Sequence, residues 1–412
     1  MTPLKISFRS LLASPLTSLL NIILIAFGSA ILVILLLVTT QINAKLEKNA
    51  KDIDLVVGAK GSPLQLVLSS IYYIDFPTGN IPLKDAEAIA ANPGVRRAVP
   101  LALGDNYNGF RIVGTDTSFI HLYGLKVHSG RFWRNDFEVS IGSAVAEAAK
   151  LKVGDQFFGV HGLSGNGEIH KRHAYVVSGI LASQGNVTDN LVMTNIASVW
   201  KMHDHDHQGE LPGPVHKEDH HEGKADDHEH QADREITSLL IQYRSPMSVI
   251  TFPRMVNQST HMQAASPAME SARLFSLIGV GVDTLQWFAV LIMFIAAMSV
   301  FISLFNSLKE RKYDLAIMRS LGATRGVIFR IIIFQGMILA GVGAIAGIAA
   351  GHIALEVTGK FQEASEAQLS GLHFIPNEGF IVLAAVFTGI IASVLPALQA
   401  YRTDISKVLA KG

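Results

Sequence analysis

The chain has 412 residues, of which 49% are hydrophobic and only 17% are charged. This length allows two or three domains, and the composition is too apolar for a typical soluble protein. The formal net charge is zero, so no global field attracts the chain to nucleic acid, and none is expected as a partner. The absence of cysteine excludes disulfide bonds and thiolate chemistry.

Residues 1–15 are predicted to form an amphipathic segment on the cytoplasmic surface of a membrane. Lys5 and Arg9 lie near the water, and the apolar residues share the opposite helical face. These apolar residues are Leu4, Phe8, Leu11 and Leu12. The alternative is that residues 1–15 are only a positively charged flank of the first apolar run.

Four apolar runs are long enough to cross a bilayer, which takes about 20 helical residues. The predicted transmembrane segments are residues 16–40, 282–305, 327–352 and 379–398. Their interiors lack acidic and basic residues, and Asp283 and His352 are assigned to helix ends at the membrane interface. The first run is longer than the apolar region of a signal peptide, so we interpret it as a retained signal anchor.

The distribution of Lys and Arg predicts the orientation of these segments. Basic residues concentrate in the loop after the second run and in the tail, residues 399–412, whereas the loop 353–378 has only Lys360. Both termini and residues 306–326 are therefore predicted to be cytoplasmic, and residues 41–281 and 353–378 to be external. The predicted fold class is an α-helical membrane protein with four transmembrane helices and a mixed α/β extracytoplasmic domain between the first two.

Short strands and helices alternate in the predicted external domain. Strands are predicted at residues 97–103, 110–113, 138–141, 175–181, 190–194 and 236–241, and helices at residues 83–91 and 143–151. Ser266 and Pro267 suit the start of a helix that continues to Leu308. About 40 helical residues exceed the bilayer thickness, so this helix is predicted to project outward as a stalk.

Residues 202–235 are predicted to be a disordered loop inserted between two strands, because they are nearly free of apolar residues. Imidazole and carboxylate groups are zinc ligands, and this loop is the candidate metal site. The candidate ligands are His203, His205, His207, His216, His220, His221, His228 and His230. The alternative is a solvated tether that binds metal incidentally.

No motif for catalysis was found. The sequence lacks a P-loop motif, G-x-x-x-x-G-K-[ST], and it lacks the H-E-x-x-H and G-x-S-x-G motifs. Gly343, Gly347 and Gly351 recur every four residues in the third apolar run, a spacing that favours close helix packing in lipid. The chain is therefore predicted to be non-catalytic and to depend on an energy source in another chain.

The segment after the second apolar run resembles the permease domain of the FtsX/MacB family. The resemblance rests on Glu310-Arg311, Asp314, Ala316 and the turn Arg319-Ser320-Leu321-Gly322-Ala323-Thr324, and on Pro396-Ala397-Leu398-Gln399-Ala400 with Asp404 near the C-terminus. Gln335 and Ile405 depart from the family pattern, in which glutamate and proline are common. The external part resembles the MacB-like periplasmic core domain at Gly130-Arg131-Phe132, Ile141-Gly142-Ser143 and residues 151–155.

This resemblance implies a permease subunit of an ABC transporter, without a fused ATPase, in the bacterial inner membrane. It implies two copies of a separate ATPase subunit that bind ATP, a second permease copy, and ATP-driven motion transmitted to the periplasmic domain for export or envelope-substrate handling. A periplasmic partner and a metal-linked role are further expectations. The ATPase-coupling residues carried over are Glu310, Arg311, Asp314, Ala316, Arg319, Leu321, Gly322, Ala323 and Thr324. The alternative function is a zinc-binding envelope sensor or scaffold without transport.

Overall fold

The structure is a computed structural model that describes residues 2–162, 173–203, 234–361 and 369–402, without the side chains of His203, Lys312, Lys360 and Phe361. The helices of these described ranges are α1 (Pro3–Leu12), α2 (Pro15–Asn49), α3 (Pro63–Ser70), α4 (Leu83–Ala90), α5 (Thr117–Tyr123), α6 (Ser143–Ala149), α7 (Ile196–His203), α8 (Ser248–Ser259), α9 (Pro267–Glu310), α10 (Lys312–Ser320), α11 (Arg325–Phe361) and α12 (Glu378–Arg402). The strands are β1 (Leu55–Ala59), β2 (Ile81–Pro82), β3 (Val95–Tyr107), β4 (Phe110–Thr115), β5 (Val127–Gly130), β6 (Glu138–Ile141), β7 (Gln156–Phe157), β8 (Val160–His161), β9 (Tyr175–Leu181), β10 (Leu191–Asn195), β11 (Glu235–Ile236), β12 (Ser238–Tyr243) and β13 (Met262–Ala265).

The chain divides into two compact units. We call residues 1–43 with 277–412 the helical unit and residues 44–276 the sheet unit. The sheet unit is therefore inserted in sequence between the first two long helices of the helical unit, as the sequence predicted.

Within the described residues, the helical unit contains four helices, α2, α9, α11 and α12, that are long and apolar enough to cross a membrane. This confirms the predicted number of candidate spans, whereas their orientation in a membrane stays a prediction. The helices extend beyond the apolar runs, because helical hydrogen bonding continues through polar residues at both ends. The longest helix, α9, has 44 residues and begins at Pro267, where the missing N–H of proline costs nothing.

Two residues that were predicted to lie at the ends of membrane-spanning segments stand within longer helices. Asp283 is within α9, and His352 is within α11, nine residues before its end at Phe361. His352 is buried, and its Nε2 lies 3.1 Å from Oε2 of Glu378 on α12. A polar side chain with a partner on a neighbouring helix can be buried in this way, and the predicted position of His352 at the membrane interface stays a prediction.

The sheet unit is built on a mixed sheet of the order β13-β1-β12-β3-β4-β10-β6-β9-β5, with β7 beside β9 and β8 beside β3. The pairs β4–β10 and β6–β9 are parallel, and the other pairs are antiparallel. The short strands β2 and β11 form a separate pair. Buried aliphatic and aromatic side chains cover the sheet, with Phe119, Val113 and Leu191 fully buried. The mixed α/β domain predicted from the sequence is thus confirmed.

The polar insertion differs from its prediction at both ends. It follows helix α7 rather than a strand, and Met202 near the end of α7 is a buried core residue. On the other side, Glu235 belongs to β11, and its carbonyl oxygen accepts a 2.7 Å hydrogen bond from Nε1 of Trp200. The predicted loop therefore includes at least one core residue, Met202, and one strand residue, Glu235.

Candidate coupling segment

The candidate coupling segment, residues 310–324, is a short helix between two candidate membrane spans. The α9 helix ends at Glu310, because Arg311 leaves the helical conformation with φ −99° and ψ 18°. The α10 helix follows directly and ends before Gly322, which has φ +103°. Few residues other than glycine adopt this conformation without strain, so Gly322 sets the turn into α11.

The inner face of α10 packs on the core of the helical unit. Ala316 is only 4% exposed, and Leu315 packs against the same cluster, which contains Leu308 and Ile328. Ala316 was predicted as a coupling residue, but the helix directs it inward. Its position suits the attachment of α10 to the bundle, because a larger side chain would not fit there without displacing the helix.

The outer face of α10 carries an exposed apolar stripe. Tyr313, Ile317 and Leu321 are 52%, 38% and 82% exposed, and their spacing of four residues aligns them on one side of the helix. We call these three residues the outer stripe. Sequence reasoning selected Leu321 but missed Tyr313 and Ile317, although their regular spacing is a signal visible in the sequence. Exposed apolar side chains aligned in this way are typical of a protein-binding helix.

The other predicted coupling residues surround this stripe. Glu310, Asp314, Gly322 and Thr324 are exposed, whereas Arg319 and Ala323 are half-buried. The Thr324 carbonyl oxygen accepts the N–H groups of Val327 and Ile328, which starts α11 directly after the turn. The predicted residues therefore divide into an exposed group and an inward group.

Arg311 connects the segment to the N-terminal helix. Its guanidinium donates hydrogen bonds to the hydroxyl and carbonyl oxygens of Ser10, at 2.5 and 3.4 Å. Another α1 residue, Ser7, is buried and donates a 2.8 Å hydrogen bond to the carbonyl oxygen of Ile331 on α11. Hydrogen bonds thus attach α1 to Arg311, near the start of the candidate coupling segment, and to Ile331, beyond its end.

The three repeated glycines of α11 lie against α2. A Cβ atom on Gly347 would stand 2.4 Å from the carbonyl oxygen of Ala26, and one on Gly343 would stand 2.8 Å from Cβ of Ile25. Gly351 faces the carbonyl oxygen of Ala30 at 3.2 Å. The two helix backbones therefore approach closely at all three positions, which is the geometry that small residues permit.

A second glycine contact joins α11 to α12, and sequence reasoning missed it. A Cβ atom on Gly336 would lie 2.5 Å from the carbonyl oxygen of Gly389. The two glycines stand on different helices, so no repeat in the sequence pointed to them.

The predicted metal site falls outside the part of the chain that the structure describes. This applies to the side chain of His203 and to the seven histidines between residues 205 and 230. Among the described residues, no group of three or more His, Asp or Glu side chains is arranged to hold a metal ion. The zinc hypothesis stays a prediction.

Two family models together match most of the chain. The model of the FtsX-like permease C-terminal domain matches residues 287–405, and that of the MacB-like periplasmic core domain matches residues 18–247. The chain belongs to the FtsX/MacB-type permease family. It is an ABC-transporter permease of this type, and the family consists of non-catalytic transport subunits. The family implies an ABC ATPase partner and a multi-pass membrane protein with a periplasmic domain.

Solved structures similar to this chain come from the same group. The periplasmic region of MacB from Actinobacillus actinomycetemcomitans is 10% identical, with a TM-score of 0.33, over 56% of this chain and 97% of that region. The extracellular domain of the noncanonic ABC-type transporter YknZ from Gram-positive bacteria is 14% identical, with a TM-score of 0.29, over 52% of this chain and 99% of that domain. No curated protein matches the chain.

Proposed function

We propose that this chain couples ATP hydrolysis by a separate ATPase subunit to movement of its MacB-like domain. The outer stripe carries the proposal, because it leaves Tyr313, Ile317 and Leu321 exposed on a helix whose opposite face is held in the bundle. An apolar helix face of this kind suits a groove on a partner protein. The ATPase is the partner that the family implies.

Two long helices support the transmission of this movement. Helix α2 continues from the helical unit to Asn49 of the sheet unit, and α9 begins at Pro267 of the sheet unit and ends at Glu310. A continuous helix transmits displacement along its axis because its backbone hydrogen bonds keep its length fixed. A displaced α10 helix would therefore move α9, with only Arg311 between them.

The assembly we propose contains two copies of this permease and two ATPase subunits in a bacterial inner membrane. No charged substrate pathway crosses the membrane between the two permeases. The cargo is instead handled on the periplasmic side, by export or by action on an envelope substrate. A periplasmic partner protein would take part there.

The coupling proposal is tested by co-purification with ABC ATPases of the same organism. Leu321→Asp places a charge in the outer stripe and should abolish recovery of the ATPase and its stimulation by the permease. Leu372→Asp is the control, since Leu372 is also an exposed leucine of the same unit, at 73% exposure, and lies in the segment 353–378 that is predicted to be external. Equal ATPase recovery with both variants would refute the docking role of the outer stripe.

A metal-linked role is the second part of the proposal and rests on the histidine-rich segment. Its ligand types suit zinc, and imidazoles must lose their proton to bind, so affinity should fall below about pH 6. Calorimetric zinc titration of the full chain and of a variant without residues 204–230 tests this role. Equal zinc affinity of the two proteins would refute the metal-linked role, and it would not affect the coupling proposal.

A further inference from the structure

A cavity of about 390 Å³ lies within the helical unit, on the inner side of the candidate coupling segment. Four helices line it: α1, the last turns of α9, α10, and the first turns of α11. Its volume is in the range of small-molecule sites. The walls are largely apolar and include the buried side chains of Leu304, Leu308, Ile331 and Ile332.

The polar groups of the cavity favour an anion. Arg9 and Arg311 line it together with a single acid, Asp314, so its formal charge is positive. Arg311 is engaged with Ser10, but the guanidinium of Arg9 forms no hydrogen bond or ion pair within the described ranges. An exposed guanidinium with free donors at the edge of an apolar cavity is suited to a phosphate group.

Gln335 adds a polar group deeper in the cavity. It is 7% exposed and lines the cavity, and its amide makes no hydrogen bond with any residue that the structure describes. The amide can therefore donate to and accept from a group that enters the cavity. Gln335 lies about ten residues into α11, so a group that reaches it has entered past the apolar wall.

The surface around the cavity indicates where the ligand comes from. Helix α1 exposes Leu4, Phe8 and Leu12 at 54%, 55% and 62%. A helix with such a face lies in a membrane interface, at the depth of the lipid headgroups. A free phosphate ion would use the arginines but gain nothing from the apolar walls, whereas a phospholipid would use both.

We propose that the cavity binds an anionic phospholipid, with its phosphate at Arg9 and Arg311 and its glycerol ester region against Gln335 and the apolar wall. The C-terminal tail of the chain is a poorer occupant. Residues 403–412 contain Lys407 and Lys411 against one acidic side chain, Asp404, so their side chains bring no net negative charge to the two arginines. The bound lipid would hold α1 and α10 together, and this inference does not require the proposed docking of an ATPase.

Native mass spectrometry of the full chain tests the proposal in the absence of any ATPase. The protein is released from nanodiscs that contain equal amounts of phosphatidylglycerol and phosphatidylcholine with identical acyl chains. We expect phosphatidylglycerol to be retained in preference to phosphatidylcholine, and Arg9→Gln to reduce its retention about tenfold, the effect of one lost charge-assisted hydrogen bond. Arg9→Lys, which keeps the charge, should retain most of the preference.

The matched control is Arg330→Gln, because Arg330 is an exposed arginine of α11 that does not line the cavity. Ile332→Trp, which fills the cavity without changing charge, should remove the bound lipid. Equal retention of both lipids by the unchanged protein, or equal loss with Arg9→Gln and Arg330→Gln, would overturn the proposal. So would displacement of the lipid by excess inorganic phosphate, or lipid binding only after removal of residues 403–412, which would identify a free anion or the tail as the occupant.

Discussion

The closest backbone approach between α2 and α11 gives a sharp test of the helical unit. In Gly347→Ala, the new methyl group would lie 2.4 Å from the carbonyl oxygen of Ala26, 3.0 Å from its Cα and 2.7 Å from Cβ of Ser29. Two of these atoms are backbone, so the helices must separate instead of a side chain rotating away. Overpacking of this kind costs about 1–3 kcal/mol. Alanine recovers about 0.5–1 kcal/mol by its higher helix propensity.

We therefore expect Gly347→Ala to lower the free energy of unfolding by about 1 kcal/mol, the difference between the midpoints of these two ranges. The measurement is unfolding of the purified chain in mixed micelles by increasing SDS, followed by far-ultraviolet circular dichroism. Gly341→Ala is the control on the same helix, since its nearest foreign atom, Cγ2 of Val386, is 3.8 Å away. This control should be as stable as the unchanged chain or more so. If Gly347→Ala were equally stable, the close contact would not exist as described.

Three further predictions concern the turn, the sheet unit and the insertion. Gly322→Ala should destabilise the helical unit by about 1–2 kcal/mol, because φ is +103°, whereas Gly326→Ala at an open position should not; SDS unfolding distinguishes them. Hydrogen bonds from Arg131 hold the pKa of Glu138 below its usual value. The ionised Glu138 therefore contributes fully to the free energy of unfolding above about pH 4.3, and this contribution is lost as the pH falls further. Unfolding followed by tryptophan fluorescence should show this loss, and Glu138→Gln should reduce the pH dependence; an unchanged dependence would contradict the assignment. Met202→Ala should cost about 2–4 kcal/mol if α7 is part of the core, and no loss would restore the loop interpretation.

The sequence predicted the elements of this fold better than their arrangement. Apolar runs of membrane length indicated the four long helices, and strand patterns placed β4, β6 and β9 within a few residues. The order of the strands in the sheet could not be predicted in the same way. Strand β1 pairs with β12 and β13, which come more than 170 residues later in the chain. Such pairings depend on packing between distant segments, which no local pattern encodes.

The candidate coupling segment was found in the sequence, but its two faces were not separated. The family motif selected mainly charged and small residues, so Ala316 was grouped with exposed positions and Tyr313 and Ile317 were left out. The burial of Ala316 depends on how α10 packs on the core of the helical unit, after the chain leaves the helical conformation at Arg311. This packing involves segments that are distant in sequence, such as α1, whose Ser10 accepts hydrogen bonds from Arg311, and no local pattern encodes it.

The pair formed by His352 and Glu378 shows how a polar residue is buried where two long apolar helices meet. Nδ1 of His352 lies within hydrogen-bond distance of the carbonyl oxygen of Gly371, and its Nε2 lies 3.1 Å from Oε2 of Glu378. Glu378 is completed by the N–H of Ile375 at 2.9 Å, and the imidazole stacks on Phe374. A polar pair with these partners is tolerated where α11 and α12 pack together, so the burial of His352 depends on a contact between helices that hydropathy does not report.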